Sequence, residues 1–314
     1  MRSWARFLFA LALMPLGCAP RGDVESPYHR KNGAWRFEDE TMTVPPGETV
    51  TPLNRAFAKS ATVAWYRATP IDGADAASFE ALDDHYARDR TQAWEAHLYR
   101  RVEEFLLVPH VRLTPLDQVI APRLKVLGDG YAQDGAHAYY EGKRFEAADP
   151  ATFVPMEGLT ARDRVRGYYL QTVVEGSDGP TFRPMGHDYA RDRAAVYYLN
   201  AYDADGNRTV IRTADADPGS FQALEYGYGR DAHRAFFQAR PISSDVAAFK
   251  VLDFGYAKTA AQVFYEGKIV PGADAASFAT LAEPTEEASA RDRHGLYMDG
   301  QRVTPSAAPP PSAH

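Results

Sequence analysis

The sequence has 314 residues, of which 45% are hydrophobic and 25% charged, so it is long enough to bury a core and has an ordinary globular composition. Aromatic residues make up 12%, with 18 tyrosines, and this favours half-buried β-strands over a helical bundle. The net charge of −7 argues against a nucleic-acid partner, because phosphate binding needs a basic face.

The first 18 residues have the order of an export signal. Arg2 and Arg6 form a short positive segment, and residues 7–14 are an apolar run too short to span a bilayer. The only cysteine of the chain, Cys18, directly follows Gly17. A buried cysteine is the alternative, but its position at the end of the apolar run favours a role in processing.

This stretch resembles a bacterial lipoprotein signal, although Pro15 stands where that pattern prefers Leu. The resemblance implies removal of residues 1–17, lipidation of Cys18 and a tether over residues 18–26. Because Ala19 rather than Asp follows the cysteine, it also implies an outer-membrane location in the cell envelope. With no second thiol, the exported domain contains no disulfide.

A four-residue motif recurs along the chain. Tyr-Ala-Arg-Asp occurs at residues 86–89 and again at residues 189–192, and close variants occur elsewhere. The motif ends at Ser60, Asp89, Asp134, Asp163, Asp192, Asp231, Thr259 and Asp292. Successive ends are separated by 29, 45, 29, 29, 39, 28 and 33 residues. The sequence therefore contains about eight copies of a unit of roughly 29 residues, with insertions near 98–115 and 200–212.

Other residue types recur in the same frame. Five residues after each motif end stands an aromatic residue, and in six copies the next residue is aromatic too. A Phe lies ten residues before five of the motif ends, and a Leu or Met follows it by three residues. A worn extra copy is indicated around Lys31 and Trp35, upstream of Ser60.

The aromatic pair is predicted to begin a β-hairpin. An acidic residue followed by Gly separates the two strands at residues 141–142, 266–267 and 299–300, which is typical of a type I′ turn. Asp149 and Asp217, each followed by Pro, are predicted to cap a short helical turn that carries the Phe and the Leu or Met on one face. The Tyr-x-x-Asp motif is predicted to be a turn whose Asp accepts backbone N–H bonds.

One such unit cannot bury its own aromatic face, so consecutive units must stack. We therefore expect a mainly β fold with short helical turns (α+β), built as a tandem array of β-hairpin repeats over residues 27–303. Spacing alone permits an open or a closed array, and we favour the open, elongated one. The Pro-rich tail at residues 304–314 is predicted to be disordered.

The recurring pattern resembles the DKNYY family of bacterial envelope proteins. The resemblance rests on residues 131–140, 189–198, 256–265 and 272–278, although Arg, Gly or Ala usually stands where the family name has Lys-Asn. It implies the repeat unit and an envelope setting, and it brings no known activity or active site.

The recurring aspartates could suggest acid–base or metal chemistry. Residues at equivalent positions in a repeat usually have the same structural role, so we predict a turn or a cap at each of the recurring aspartates. These are Asp89, Asp134, Asp163, Asp192, Asp231 and Asp292. Arg-Asp-Arg recurs at residues 88–90, 162–164, 191–193 and 291–293, and a ladder of ion pairs is favoured over an anion-binding strip.

The best metal candidate is the sequence Asp203-Ala-Asp205-Gly-Asn207 in the second insertion. Alternating oxygen ligands around a Gly resemble the start of a Ca²⁺ loop, but the closing carboxylate is missing, and a lengthened hairpin tip is the alternative. The nine histidines have no zinc spacing, and neither a nucleophile elbow nor a phosphate-binding Gly loop is present in the sequence.

The first insertion, residues 96–111, is predicted to form an amphipathic helix from the spacing of Leu98, Val102, Phe105 and Leu106. It would either cover the flank of the array or bind a partner.

The leading functional hypothesis is a non-catalytic envelope scaffold that binds the membrane through its lipid and a protein through its repeats. A Ca²⁺ or small-ligand binding protein is the alternative, and an enzyme with its site between units is a third.

Overall fold

A computed structural model describes residues 26–104, 107–202, 205–206 and 208–303. Within these ranges the chain forms nine small antiparallel sheets in tandem, and the helical segments are all 3-10 turns. The predicted mainly β repeat fold is confirmed. We number the units 1 to 9 in chain order, one for each sheet.

Unit 1 has three strands and each later unit has four. The strands of units 1 to 3 are Tyr28–Lys31, Ala34–Phe37 and Glu40–Thr41; Thr51–Pro52, Phe57–Lys59, Ala64–Tyr66 and Thr69–Pro70; and Glu80–Ala81, Tyr86–Arg88, Ala93–Arg100 and Pro109–Pro115. Those of units 4 to 6 are Lys125–Gly128, Tyr131–Gln133, Ala138–Tyr140 and Lys143–Phe145; Val154–Met156, Thr160–Arg162, Gly167–Tyr169 and Thr172–Val174; and Arg183–Gly186, Tyr189–Arg191, Val196–Tyr202 and Arg208–Arg212. Those of units 7 to 9 are Gln222–Ala223, Tyr228–Arg230, Ala235–Phe237 and Arg240–Ser243; Lys250–Val251, Tyr256–Lys258, Val263–Tyr265 and Lys268–Ile269; and Ala279–Thr280, Ala290–Asp292, Gly295–Met298 and Gln301–Arg302.

The 3-10 turns lie mainly between units. They span Val102–Glu104, Ala121–Arg123, Pro150–Thr152, Gly179–Thr181 and Glu225–Gly227.

Each sheet is a meander in which every strand pairs with the next one in the chain. The unit is therefore larger than the predicted hairpin, because two more strands precede it. In unit 5 the second strand begins at Thr160, in the motif position that is Tyr in most other units, and pairs antiparallel with strands on both sides. The motif was wrongly predicted to be a turn as a whole, since its first three residues form a strand and the turn begins only at the Asp.

The hairpin turns have the predicted type I′ geometry. In unit 4, Glu141 and Gly142 have φ of 46° and 74°, and the acid–Gly pairs of units 8 and 9 adopt nearly the same values. Gly142 is also required by its surroundings, because a Cβ there would lie 2.8 Å from the Cβ of Glu95 in unit 3. The turn thus fixes both the hairpin and the close approach of the neighbouring unit.

The Phe that follows each loop was wrongly predicted to share a helical turn with the Leu or Met three residues later. Phe153 has extended backbone angles of φ −66° and ψ 128°, and Met156 ends the strand that starts at Val154. Asp149 does precede a 3-10 turn with Pro at its start, but its side chain makes no capping hydrogen bond there. The side chain is instead free to contact Arg164.

The first insertion forms a long hairpin, so the predicted amphipathic helix is wrong. Residues 94–100 pair one to one with residues 109–115, extending the third and fourth strands of unit 3. This pairing extends the hydrogen bonds that the third and fourth strands form in every four-stranded unit. Strand pairing therefore determines the structure here, although a few apolar residues have a helical spacing. The second insertion likewise lengthens the third and fourth strands of unit 6.

The core consists of layers between consecutive units. The described residues contain eight clusters of buried apolar side chains. Each cluster draws its members from two successive units, beginning with units 1 and 2 and ending with units 8 and 9. Each fully buried aromatic side chain contributes about 1.5–3 kcal/mol. Nine units with eight such layers form an open array, and no described sheet closes on itself.

A buried tyrosine hydroxyl also links neighbouring units. In unit 7, the Tyr228 hydroxyl donates to the Gly255 carbonyl oxygen at 3.0 Å and accepts the Gly267 N–H at 3.1 Å, both in unit 8. The Tyr86 hydroxyl makes the same pair of bonds to Gly130 and Gly142. One side chain therefore holds two loops of the following unit.

We predict that Tyr228→Phe destabilises the protein by about 1–3 kcal/mol, because the substitution leaves a buried N–H and a buried carbonyl without their partner. Urea unfolding followed by circular dichroism would measure the change. The matched control is Tyr226→Phe, since Tyr226 is exposed, and this variant should unfold like the parent protein. Equal stability of the Tyr228 variant and the parent would contradict the proposed link.

Candidate functional site

The recurring Asp, which is buried in five of its six units, is a carboxylate at the turn between the second and third strands. In unit 6, one Asp192 oxygen accepts the N–H groups of Ala194 and Ala195 at 2.7 and 2.8 Å. The other oxygen accepts the Asp178 N–H at 2.8 Å and the Tyr197 hydroxyl at 2.9 Å. The carboxylate thus ties the turn, the incoming loop and the core aromatic residue together.

The turn and loop hydrogen bonds recur in five other units. In each of these units the carboxylate accepts two N–H groups of its own turn and one N–H group of the loop that enters the unit. The carboxylates are those of Asp89, Asp134, Asp163, Asp231 and Asp292. Where a hydroxyl replaces the carboxylate, only the turn is held, as when the Thr259 Oγ1 accepts the N–H groups of Ala261 and Gln262.

The loop that enters the unit carries a second Asp, and this one forms the ion-pair ladder. Asp75, Asp149, Asp178 and Asp274 contact the guanidinium groups of Arg90, Arg164, Arg193 and Arg293 at 2.6 to 3.1 Å. The predicted ion pairs are therefore present in four units. Their arginines are mostly exposed, so each pair contributes at most about 1 kcal/mol.

The first Arg of Arg-Asp-Arg has a different partner. Arg88 donates to the carbonyl oxygens of Ala121 and Leu124 at 3.0 and 3.2 Å, and Arg162 donates to the Pro180 carbonyl oxygen at 2.6 Å. Lys59 and Lys258 occupy the same position and donate to carbonyl oxygens of the next loop in the same way. Because these basic side chains donate hydrogen bonds to backbone carbonyl oxygens, they are less available to bind an anion.

Five of the recurring carboxyl groups have a lowered pKa: Asp89, Asp134, Asp163, Asp192 and Asp292. Burial alone opposes ionisation and raises the pKa, but the hydrogen bonds donated to each carboxylate outweigh burial, so the net shift is downward. Such groups stabilise the fold above their unfolded pKa, about 3.9, and lose that effect as the pH falls through the folded pKa.

The long hairpin of unit 3 exposes apolar side chains near its tip. Val102 and Leu107 are 78% and 75% exposed, and Val108 is also exposed. The strands leading to this tip lie over unit 2, where Val111 and Leu113 join the buried cluster between units 2 and 3. The hairpin is therefore anchored at its base and apolar at its end, a combination typical of an interaction surface.

A cavity of about 350 Å³ lies between units 3 and 4. Its lining includes the buried Glu95, together with His85, Tyr86, His97 and Glu141. Neither Glu95 nor the two histidines was among the predicted site residues. The signal was present in the sequence, because Glu95 is one of two residues that interrupt the recurring aromatic pair.

The model of the DKNYY family matches residues 57–201 and, in a second placement, residues 161–301. The chain belongs to the DKNYY family. The two placements overlap, as expected for a protein whose units repeat. Among curated proteins and among solved structures, nothing matches the chain.

Not all predicted sites of this DKNYY protein fall within the described residues. Cys18, Asp203 and Asn207 lie outside the described residues, as does the tail at 304–314. Across the described ranges, no group of three or more His, Cys, Asp or Glu residues is arranged to hold a metal ion. Nor does any helix in these ranges have the length and apolar character needed to cross a membrane.

We predict that the stability of this protein falls as the pH is lowered below about 4, because the unfolded chain then binds protons that the five carboxylates with a lowered pKa resist in the folded state. Asp192→Asn should destabilise the protein at pH 7 by about 1–3 kcal/mol and reduce the dependence of stability on acid pH. Urea unfolding at pH 7, 5, 4 and 3 would measure both effects.

The control is Asp72→Asn, which changes an exposed carboxylate and should follow the parent curve at every pH. If Asp192→Asn and Asp72→Asn gave the same pH profile, the recurring carboxylate would not be the group that couples stability to pH.

Proposed function

We propose that this DKNYY protein is a lipid-anchored, non-catalytic binding module of the bacterial cell envelope. The observation that carries the proposal is the exposed apolar tip of the unit 3 hairpin, around Val102 and Leu107. It belongs to one of two insertions in an otherwise regular array, and an apolar surface of this kind favours a protein partner.

The recurring polar groups support a non-catalytic role. Each recurring carboxylate accepts several hydrogen bonds within its own unit, as Asp163 does from Asp149, Val165, Arg166 and Tyr168. A catalytic carboxylate needs a free oxygen directed at a substrate, whereas both oxygens of these carboxylates already accept hydrogen bonds. The net charge of −7 and the carbonyl-bound basic residues speak against nucleic acid as a partner.

The envelope location rests on the N-terminal sequence. The positive segment, the short apolar run and Cys18 after Gly17 have the order of a lipoprotein signal, and Ala19 favours the outer membrane. A multiply acylated cysteine would anchor the array stably, whereas one acyl chain gives only marginal binding.

The anchor is tested by Cys18→Ser. We expect the parent protein to require detergent for release from membranes and the variant to appear in the soluble fraction, as measured by fractionation and intact-mass spectrometry. Ser26→Ala, in the predicted tether, should leave the membrane fraction unchanged. A parent protein of unmodified mass in the soluble fraction would contradict the anchor.

The binding role is tested by replacing Val102 and Leu107 together with Ser. Crosslinking in native envelopes followed by mass spectrometry should recover a reproducible partner with the parent protein and lose it with this double variant. Val154→Ser with Ile269→Ser is the matched control, because both residues are exposed apolar residues on ordinary repeat strands. Recovery of the same partner in equal yield with both double variants would count against the hairpin as the binding surface.

A further inference from the structure

Most units have an aromatic residue directly after the core aromatic residue, but unit 3 has Glu95 at this position. The residue after the core aromatic residue packs against the aromatic residue of the second strand in most units, with ring centroids 4.9 to 5.1 Å apart. These pairs are Phe57–Tyr66, Tyr131–Tyr140, Tyr189–Tyr198, Tyr228–Phe237 and Tyr256–Tyr265. In unit 3 the second-strand residue is Tyr86, and the residue opposite it is Glu95.

The cavity between units 3 and 4 lies at this position. A Glu side chain is smaller than the ring it replaces, and both Glu95 and Tyr86 belong to the cavity lining. The volume of about 350 Å³ is within the range of small-molecule sites. The cavity thus lies where unit 3 departs from the repeat.

The cavity lining contains a buried carboxylate with a free oxygen. Glu95 is 3% exposed, and its Oε1 lies 2.8 Å from Nδ1 of His97. Its Oε2 is buried and makes no hydrogen bond. Burial raises the pKa of this carboxyl group, opposed by His97 and His85 and reinforced by Glu141. An unpaired buried oxygen is costly, so the site favours a ligand that brings a donor.

The charge of the lining indicates the kind of donor. Four carboxylates line the cavity, those of Asp83, Glu95, Asp129 and Glu141, and Lys and Arg are absent from the lining. His85 is an exposed residue of the lining, and its Nδ1 lies 3.0 Å from the carbonyl oxygen of Ala96. An anion would be repelled by this lining, whereas a cation would be attracted.

We propose that this cavity binds a small organic cation through a primary ammonium or guanidinium group that donates to Oε2 of Glu95. An organic cation is favoured over a metal ion because, in the described part of the chain, no three acidic or histidine side chains are arranged as metal ligands. Tyr86, which also lines the cavity, is an aromatic residue of the kind that attracts a cation.

The test uses the full exported domain with putrescine and agmatine as probes, and 1,4-butanediol as the neutral counterpart of putrescine. Isothermal titration calorimetry should give binding of at least one amine and none of the diol. Glu95→Gln keeps the size and removes the charge, and it should weaken amine binding at least tenfold. Glu157→Gln, an exposed carboxylate in unit 5, should bind like the parent.

Glu95→Tyr restores the residue type of the repeat. It should abolish amine binding and raise the melting temperature, because a ring would fill the cavity and an unpaired buried oxygen would be removed. A melting curve of Glu95→Gln verifies that this variant is folded. The proposal is overturned if neither amine binds the parent at millimolar concentration, if the diol binds as well as the amines, or if Glu95→Gln binds them unchanged.

Discussion

The stacking of aromatic side chains between consecutive units is the constraint on which the rest of the structure depends. Each sheet has three or four short strands, and nothing within the unit covers the apolar face of the sheet. A unit is therefore stable only when it packs against its neighbours. The eight buried clusters place every large apolar core side chain in a layer shared by two units. Stability is therefore a sum over nearest-neighbour layers, and the fold can tolerate insertions that lengthen a hairpin without disturbing a layer.

Two kinds of buried polar side chain fix how the units stack. The tyrosine hydroxyl, as in Tyr228, fixes the next unit's loops, and the Asp carboxylate, as in Asp192, fixes the loop inside the unit. Both are buried groups with all partners provided by the protein, so losing a partner costs more than the bond itself contributes. The carboxylate can be replaced by the hydroxyl of Ser60 or Thr259 because the turn bonds remain, while the bond to the loop is lost.

The sequence was most informative where residues recur in one frame. Eight aromatic positions and the acid–Gly turns predicted the third and fourth strands correctly, since type I′ geometry depends on local residue types. The first and second strands were missed because strands of two or three residues, such as Thr160–Arg162, are too short to show alternation. The helix predicted near Leu98 failed for a related reason, since strand pairing with a distant segment decided the local structure. The cavity at Glu95 is lined by residues of both unit 3 and unit 4. A local sequence pattern does not predict which residues of a neighbouring unit line a cavity.

A regular repeat makes its own exceptions interpretable. Two residues interrupt the recurring aromatic pair, Glu95 and Met298. Met298 is in the last unit, where no following unit packs against that position within the described residues, so the loss of a ring costs little. Glu95 lies inside the array, and the turn Gly of unit 4 packs directly against it, just as Gly267 packs against Phe237 of unit 7. A buried carboxylate with one unpaired oxygen is destabilising there, and a position kept at the expense of stability is where a functional role is most reasonably sought.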